Sequence, residues 1–210
     1  MRSFWHVNTQ CECVFLSPTI KQPSSNLHRI KQHPLSVCIT SKFNIIMKEE
    51  IFPVVNSQGE VIGSATRTEC HAGTFILHPV VHLHIFNSQG DLYLQKRVMT
   101  KKIQPEKWDT AVGGHIDYGE SVEEALLRET REELGVRNFT PEFLMCYEFR
   151  SAVEAELVYV YKCVYNGDFT PNPAEVSEGR FWSWNEIKEN ISKGIFTPNF
   201  ESEIAKLGWI

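Results

Sequence analysis

The stretch from Gly114 to Val136 constrains the fold more than any other part of this chain. Ser121 followed three residues later by Glu124 makes a capping box, so a helix should begin at Ser121, and Gly135 supplies its left-handed stop. At about 100° per residue, Glu129, Glu132 and Glu133 project within a third of the helix circumference and form one acidic cluster. Val122, Ala125 and Leu126 fall on the same side as the carboxylates, while Leu127 and Leu134 populate another. The pattern predicts a helix covered on more than one face, whose apolar stripe runs into acids that repel one another unless a cation neutralises them. Hard oxygen ligands of this kind suit Mg²⁺ or Mn²⁺, which keep waters and share the remaining positions with substrate phosphates. A solvated glutamate-rich helix held by i,i+4 pairs, such as Glu124 with Arg128, is the plainer alternative.

Short strand-like runs surround this helix. Phe52–Val55 and Val61–Ala65 flank the turn Asn56-Ser57-Gln58-Gly59, and the same kind of turn recurs at Asn87–Gly90 between Val80–Phe86 and Leu92–Arg97, which predicts two hairpins. Further strands are expected at Phe143–Phe149, Leu157–Tyr165 and Arg180–Trp184, with helices at Glu186–Lys193 and Glu201–Leu207. Strands and helices interleave without regular alternation, so the expected class is α+β, built as an α/β/α sandwich around a mixed sheet.

Composition closes off several functions. With 210 residues and 42% hydrophobic content the chain can bury a full core, and no apolar run approaches the roughly 20 residues of a membrane-spanning helix. Residues 1–46 hold five Lys/Arg against one acid, Glu12, which leaves residues 47–210 distinctly acidic. An acidic body offers no broad cationic surface for a nucleic-acid duplex. Residues 1–46 lack periodicity and are expected to be an upstream extension or poorly ordered arm, a targeting sequence being the second reading, and Met47 resembles a natural start to the domain at 47–210. The cysteines at 11, 13, 38, 70, 146 and 163 form no C-x-x-C pair. Cys146 and Cys163 lie in strand-like runs and are expected to be small buried hydrophobes in a protein of a reducing, cytoplasmic compartment.

Residues 114–136 fit G-x5-E-x7-R-E-U-x-E-E-x-G-U, where U is a bulky apolar residue, with Thr130 alone departing. This string resembles the signature of the Nudix family. The resemblance implies a Nudix fold over about residues 50–208 and cleavage of nucleoside diphosphates linked to other moieties. It further implies that Glu129, Glu132 and Glu133 hold divalent metals, that Gly114 lets the backbone approach them, that Arg128 orients a glutamate and that Glu120 supports the metal shell. The chemistry is reasonable, because an anionic diphosphate bridge needs cations to neutralise it, activate a water and stabilise the leaving oxygen.

A second set of residues is similar to one subgroup of that fold, the isopentenyl-diphosphate isomerases. By position His71, His78, His115, Glu154 and Glu156 match a three-histidine, two-glutamate metal site, and Arg67, Arg97 and Lys101 match its diphosphate-binding positions. Glu154 and Glu156 are expected to alternate on one strand and face the same side. Imidazole with carboxylate suits a transition ion such as Mn²⁺ or Zn²⁺. Two departures count against isomerisation: Gly113 occupies the position of the subgroup's catalytic cysteine, and Asn199 that of its ring-bearing tryptophan.

The balance favours a hydrolase acting on a small-molecule diphosphate, with an isomerase-like enzyme or a non-catalytic diphosphate sensor as alternatives. A homodimer is left open. His82 and His84 are expected to share one face of an outer strand in a structural role, and Trp108, Trp182 and Trp184 to be core or pocket walls, with Trp108 near enough to the glycine turn to touch substrate. Glu175 and Glu178 are placed in a polar loop, Glu178 as a candidate general base.

Overall fold

The structure, a computed structural model, describes residues 49–210. The expected arm at 1–46, with Cys11, Cys13 and Cys38, lies outside the described residues.

The first hairpin forms as expected. β1 (Ile51–Val55) and β2 (Val61–Thr66) pair antiparallel, and the Asn56 side chain closes the turn by accepting from the N–H groups of Gln58 and Glu60, each at 3.0 Å. A single turn of helix follows, α1 (Arg67–Cys70), capped by reciprocal bonds between Thr66 and Glu69.

β3 (Leu77–Phe86) is the backbone of the main sheet. It runs parallel to β8 (Ala155–Val164), whose other edge carries β7 (Glu142–Arg150) antiparallel. Its near-continuous burial follows from having helices on both faces and strands on both edges. The second hairpin differs from expectation: β4 (Leu92–Arg97) pairs with β3 only at Ile85–Phe86 and then peels away. The vacated edge of β3, Val80–Leu83, is taken by the short strand β6 (Val112–His115). β4 instead carries β9 (Val176–Trp182) along its length and β5 (Trp108–Asp109) at Gln95–Lys96.

Three layers result. Val81, Leu83 and Ile85 point to one side, where they pack with Ala125, Leu126 and Leu134 of α2 (Val122–Leu134). On the other side, Leu92, Leu94, Trp108 and Trp182 pack against α3 (Trp184–Asn190) and α4 (Pro198–Lys206) through Ile187, Phe200 and Ile204. This is the expected α/β/α arrangement on a mixed sheet. α3 starts earlier than expected because Ser183 caps it with Glu186, and α4 because Thr197 caps it with Pro198 in the first turn. No helix among the described residues is long and apolar enough to cross a membrane.

Three expectations need correction. His82 and His84 lie on an internal strand, not an outer one. α2 buries one face only, since Leu134 joins Leu126 in the core while Leu127 stays exposed. Cys163 is buried but Cys146 is exposed, because β7 forms the edge of the sheet and Cys146 points outward. Trp108, as expected of a core or pocket-wall residue, packs edge-on against Trp182 with centroids 5.0 Å apart.

Candidate functional site

The glutamate helix begins at its Ser121 cap and ends at Gly135, whose φ of 71° needs the left-handed region that glycine enters freely. Between these stops the carboxylates are organised by one guanidinium. Arg128 donates Nε to Glu120 Oε1 and Nη2 to Glu120 Oε2, both at 2.8 Å, Nη1 to Glu129 Oε1 at 2.8 Å, and Nη2 also to the His115 carbonyl at 2.9 Å. Burial raises the Glu120 carboxyl, but the bonds from Arg128 more than offset it and hold the group below the ordinary range. The plainer pairing of Glu124 with Arg128 does not form, because Glu124 is spent on the Ser121 cap.

Glu129 lies over Gly114. A Cβ at Gly114 would overlap the Glu129 carboxyl group, so this glycine is required by close approach of side chain to backbone. Burial pushes Glu129 up against the pull of Arg128. Glu133 is buried and is pushed up to about 8, first by burial and then by the charge of Glu129, with Gln95 Nε2 donating to its Oε2 at 2.8 Å in opposition. Glu132 remains half exposed at the mouth of the cluster. A divalent cation bound to such a set would let neighbouring buried carboxyls ionise together. Thr130, the one departure from the motif, is buried and donates its hydroxyl to the Leu126 carbonyl at 2.6 Å, so its polarity is satisfied.

The histidine site lies on the opposite face of the sheet. Gly114 pairs with Val81, which faces α2, whereas His115 pairs with Val80 and points the other way. His71, His78 and His115 each bring one nitrogen to within 4.8 Å of the others. Their outer nitrogens are held: His71 Nδ1 donates to the Arg67 carbonyl at 2.8 Å, His78 Nδ1 donates to the Ile76 carbonyl at 2.9 Å, and His115 Nδ1 is 3.5 Å from Arg67 Nη1. Rings tethered on one side and converging on the other are how imidazoles are oriented toward an ion. His78 Nε2 is buried with no partner among the described residues, and His71 Nε2 lies 3.3 Å from Glu154 Oε2 and 3.2 Å from His115 Nε2. Burial lowers His78 to about 4 and also lowers His115, so both rings are neutral, as ligands must be. The donor set fits a transition ion.

Glu154 and Glu156 do not alternate along one strand as expected. Glu154 precedes β8, in a turn where Ser151 Oγ accepts its N–H at 3.2 Å, while Glu156 is inside β8 opposite His78. Both are buried, and burial with the charge of Glu154 pushes Glu156 up to about 7.

The expected phosphate cations border both clusters, each already beside an acid: Arg67 with Glu50 at 2.6 Å, Arg97 with Asp109 at 3.3 Å, Lys101 with Glu175. The charge of Lys101 is felt by Glu133 and by His115. Glu178 is corrected: it sits within β9, not in a loop, and is exposed. It shares the face of Arg180 and Trp182, whereas Gly179 faces Tyr93 in the core beneath α2, so Glu178 points away from the carboxylate cluster. Sequence reasoning missed Gln95 and Glu203. Gln95 carries no local signal, but Glu203 stands in the apolar stripe of α4 between Phe200 and Ile204, where a solvated glutamate does not belong.

A carboxylate helix closed over a glycine strand, on a mixed sheet with helices on both faces, defines an enzyme class built to handle diphosphates. Residues 76–200, more than half of the chain, match the NUDIX domain. The chain belongs to the Nudix family and is an enzyme of the Nudix hydrolase type. It is 30% identical over 161 residues to an uncharacterized Nudix hydrolase of Streptomyces coelicolor, covering 76% of this chain and 88% of that one. It is also 36% identical over 155 residues to the isopentenyl-diphosphate Delta-isomerase of Escherichia coli, covering 71% and 83%. Among solved structures it is similar to DR0079 of Deinococcus radiodurans, with a TM-score of 0.67, 27% identity, and coverage of 75% of this chain and 99% of that chain.

Proposed function

We propose that residues 47–210 form a divalent-metal-dependent diphosphohydrolase that cleaves a compound of the type X-diphosphate-Y, such as a nucleotide derivative. The observation that carries this reading is the complete carboxylate cluster: Glu129 seated on Gly114, Glu133 held by Gln95, and Arg128 forked between Glu120 and Glu129. Glu129, Glu132 and Glu133 would hold Mg²⁺ or Mn²⁺. Bound there, the ion supplies charge neutralisation for the diphosphate and acidity for its water. Arg128 fixes the direction of the carboxylates, and Glu132, half exposed and 3.4 Å from Arg128 Nη1, completes the set. Arg67, Arg97 and Lys101 draw the anionic substrate to the rim between the two faces. His71, His78 and His115, with Glu154 and Glu156 beside them, would hold a transition ion. The free thiols Cys70, Cys146 and Cys163 suit a reducing cytoplasm.

The histidine cluster supports a second reading, an isomerase of isoprenoid diphosphates, but that chemistry needs a proton-moving group where Gly113 stands. One experiment separates them. Metal-loaded protein is incubated with nucleotide sugars, dinucleotides, nucleoside triphosphates and isoprenoid diphosphates, and every product is resolved. Hydrolysis of an X-diphosphate-Y member is expected, slowed at least about tenfold to a hundredfold in Glu132→Gln and Glu133→Gln. Conversion of isopentenyl diphosphate to its isomer, with no member hydrolysed, would reverse the order.

A further inference from the structure

Among the described residues, three buried side-chain polar atoms have no hydrogen-bond partner: His78 Nε2, Trp182 Nε1 and Gln95 Oε1. The first belongs to the histidine cluster, and the second lies in the aromatic core, where the Arg180 guanidinium sits 3.7 Å from the Trp182 ring centroid. Gln95 has no such account. A buried amide oxygen left bare is costly, so its presence calls for a reason. The buried acid on the other face of the sheet shows what completion looks like: Glu203 accepts from His82 Nδ1 at 2.8 Å, His84 Nε2 at 2.7 Å and the Tyr147 hydroxyl at 2.9 Å, a closed network.

The strand sets the position of Gln95. β4 is paired on both edges there, with Asp109 of β5 and Gly179 of β9, and the residue is only 6% exposed. Tyr93, two residues earlier, faces the core beneath α2, so Gln95 faces the same way and meets the glutamate helix. There its Nε2 donates to Glu133 Oε2 at 2.8 Å. Oε1 belongs to the same amide, so it too borders the carboxylate cluster. Reversing the amide would set Oε1 against a carboxylate oxygen, acceptor against acceptor, so only the observed sense suits an ionised Glu133. Lys101, a cation whose charge reaches Glu133, is already bonded to Glu175.

We propose that Gln95 is a positioning residue of the carboxylate site that works through both ends of its amide: Nε2 holds Glu133, and Oε1 accepts a hydrogen bond from a water carried by the divalent ion of Glu129, Glu132 and Glu133. The inference rests on the metal-dependent reading above and adds a residue that lies outside the 114–136 signature. Mg²⁺ keeps several of its waters, and acceptors fixed in advance around them orient the whole shell. Glutamine suits the position because it offers a donor end and an acceptor end without charge. A glutamate there would add one more buried acid to a crowded set, and an aliphatic side chain would leave Glu133 without its bond.

The test measures Mg²⁺ binding by titration calorimetry, and urea unfolding with Mg²⁺ or with chelator, in wild type, Gln95→Met and Gln95→Glu. Methionine keeps the unbranched shape and loses both ends of the amide; glutamate keeps an oxygen and loses the donor. Gln95→Met should raise the Mg²⁺ Kd about 10- to 100-fold, the range for losing a group that supports a metal ligand. Its unfolding midpoint should fall in Mg²⁺ and much less in chelator, where losing the bond to Glu133 is offset by removing the unpartnered oxygen. Gln95→Glu sets two buried carboxyls against each other, so it should be the least stable of the three in chelator and gain the most from Mg²⁺. A residue that only braces β4 against α2 predicts equal losses with and without the ion. Equal losses, an unchanged Kd in Gln95→Met, or a Gln95→Glu protein that Mg²⁺ does not recover would overturn the role of Gln95 alone. Should Gln95→Glu fail to fold without the ion, the Gln95→Met Kd decides by itself. No Mg²⁺ binding in wild type, with unfolding indifferent to the ion, would overturn the metal-dependent reading and this inference with it.

Discussion

Replacing Arg128 probes whether the glutamate helix is an assembled site or an acidic surface. The guanidinium makes four contacts shorter than 3 Å, two with Glu120, one with Glu129 and one with the His115 carbonyl. Its side chain is 23% exposed and those of Glu120 and Glu129 are 15% exposed, so the group is neither a surface pair nor fully dry. Breaking a buried pair costs about 3–5 kcal/mol and a surface pair under about 1. Partial exposure places Arg128→Ala between these limits, at about 2–4 kcal/mol. Arg128→Lys should cost about 1–2 kcal/mol, because one ammonium cannot serve both Glu120 oxygens, Glu129 and a carbonyl from a single point. Urea unfolding at pH 7 in the presence of chelator, with an unchanged m-value, measures both. A double-mutant cycle with Glu120→Gln should show coupling of about 1–2 kcal/mol. A loss below about 0.5 kcal/mol in Arg128→Ala, or no coupling, would refute the idea that this fork organises the carboxylates.

Gly114→Ala is expected to leave the fold intact but displace Glu129 and lower turnover at least about tenfold, whereas Gly63→Ala, whose new Cβ would lie 3.9 Å from Val54 Cβ, should be neutral in both activity and melting temperature. The His82–Glu203 pair gives a signed pH dependence. His82 is raised to about 9, so its contribution is complete below about pH 6.5 and is lost as pH rises through 9; Glu203 is lowered, so its contribution is present above about pH 4.5 and is lost on acidification. The stability gap between wild type and Glu203→Gln should therefore be widest between those limits and shrink toward pH 9 and beyond, and a gap constant with pH would count against the pairing. After dialysis the protein should retain a transition metal by elemental analysis, and combined His71→Ala and His78→Ala should abolish it while leaving Mg²⁺ binding at Glu129, Glu132 and Glu133 nearly unchanged; a native protein that neither retains nor takes up such an ion would remove the histidine site.

α2 was legible because everything that defines it is local: a cap, a stop, and carboxylates spaced by the helical period. The histidine site was legible only through resemblance, since His71, His78 and His115 come from a helix end and two strands that meet by sheet pairing. β5 and β6 escaped because two and four residues are too few to show alternation, and without β6 the peeling of β4 from β3 had no visible cause. Glu178 was misplaced for a related reason, because Val176-Ser-Glu-Gly carries a polar loop composition while its strand character comes from pairing with β4. For His82 and His84 the sequence shows no more than a structural role on one strand face, since their partner Glu203 lies more than a hundred residues away.

β6 is only four residues long, yet it is a party wall between two rooms. Gly113 and His115 look into the histidine side and Gly114 into the carboxylate side, while the His115 carbonyl takes a bond from Arg128 through the wall. Alternate positions along one peptide can therefore drift separately. A side chain gained or lost at position 113 rewrites the chemistry of its own room without moving a single glutamate next door, which gives one scaffold a short mutational route between dissimilar reactions.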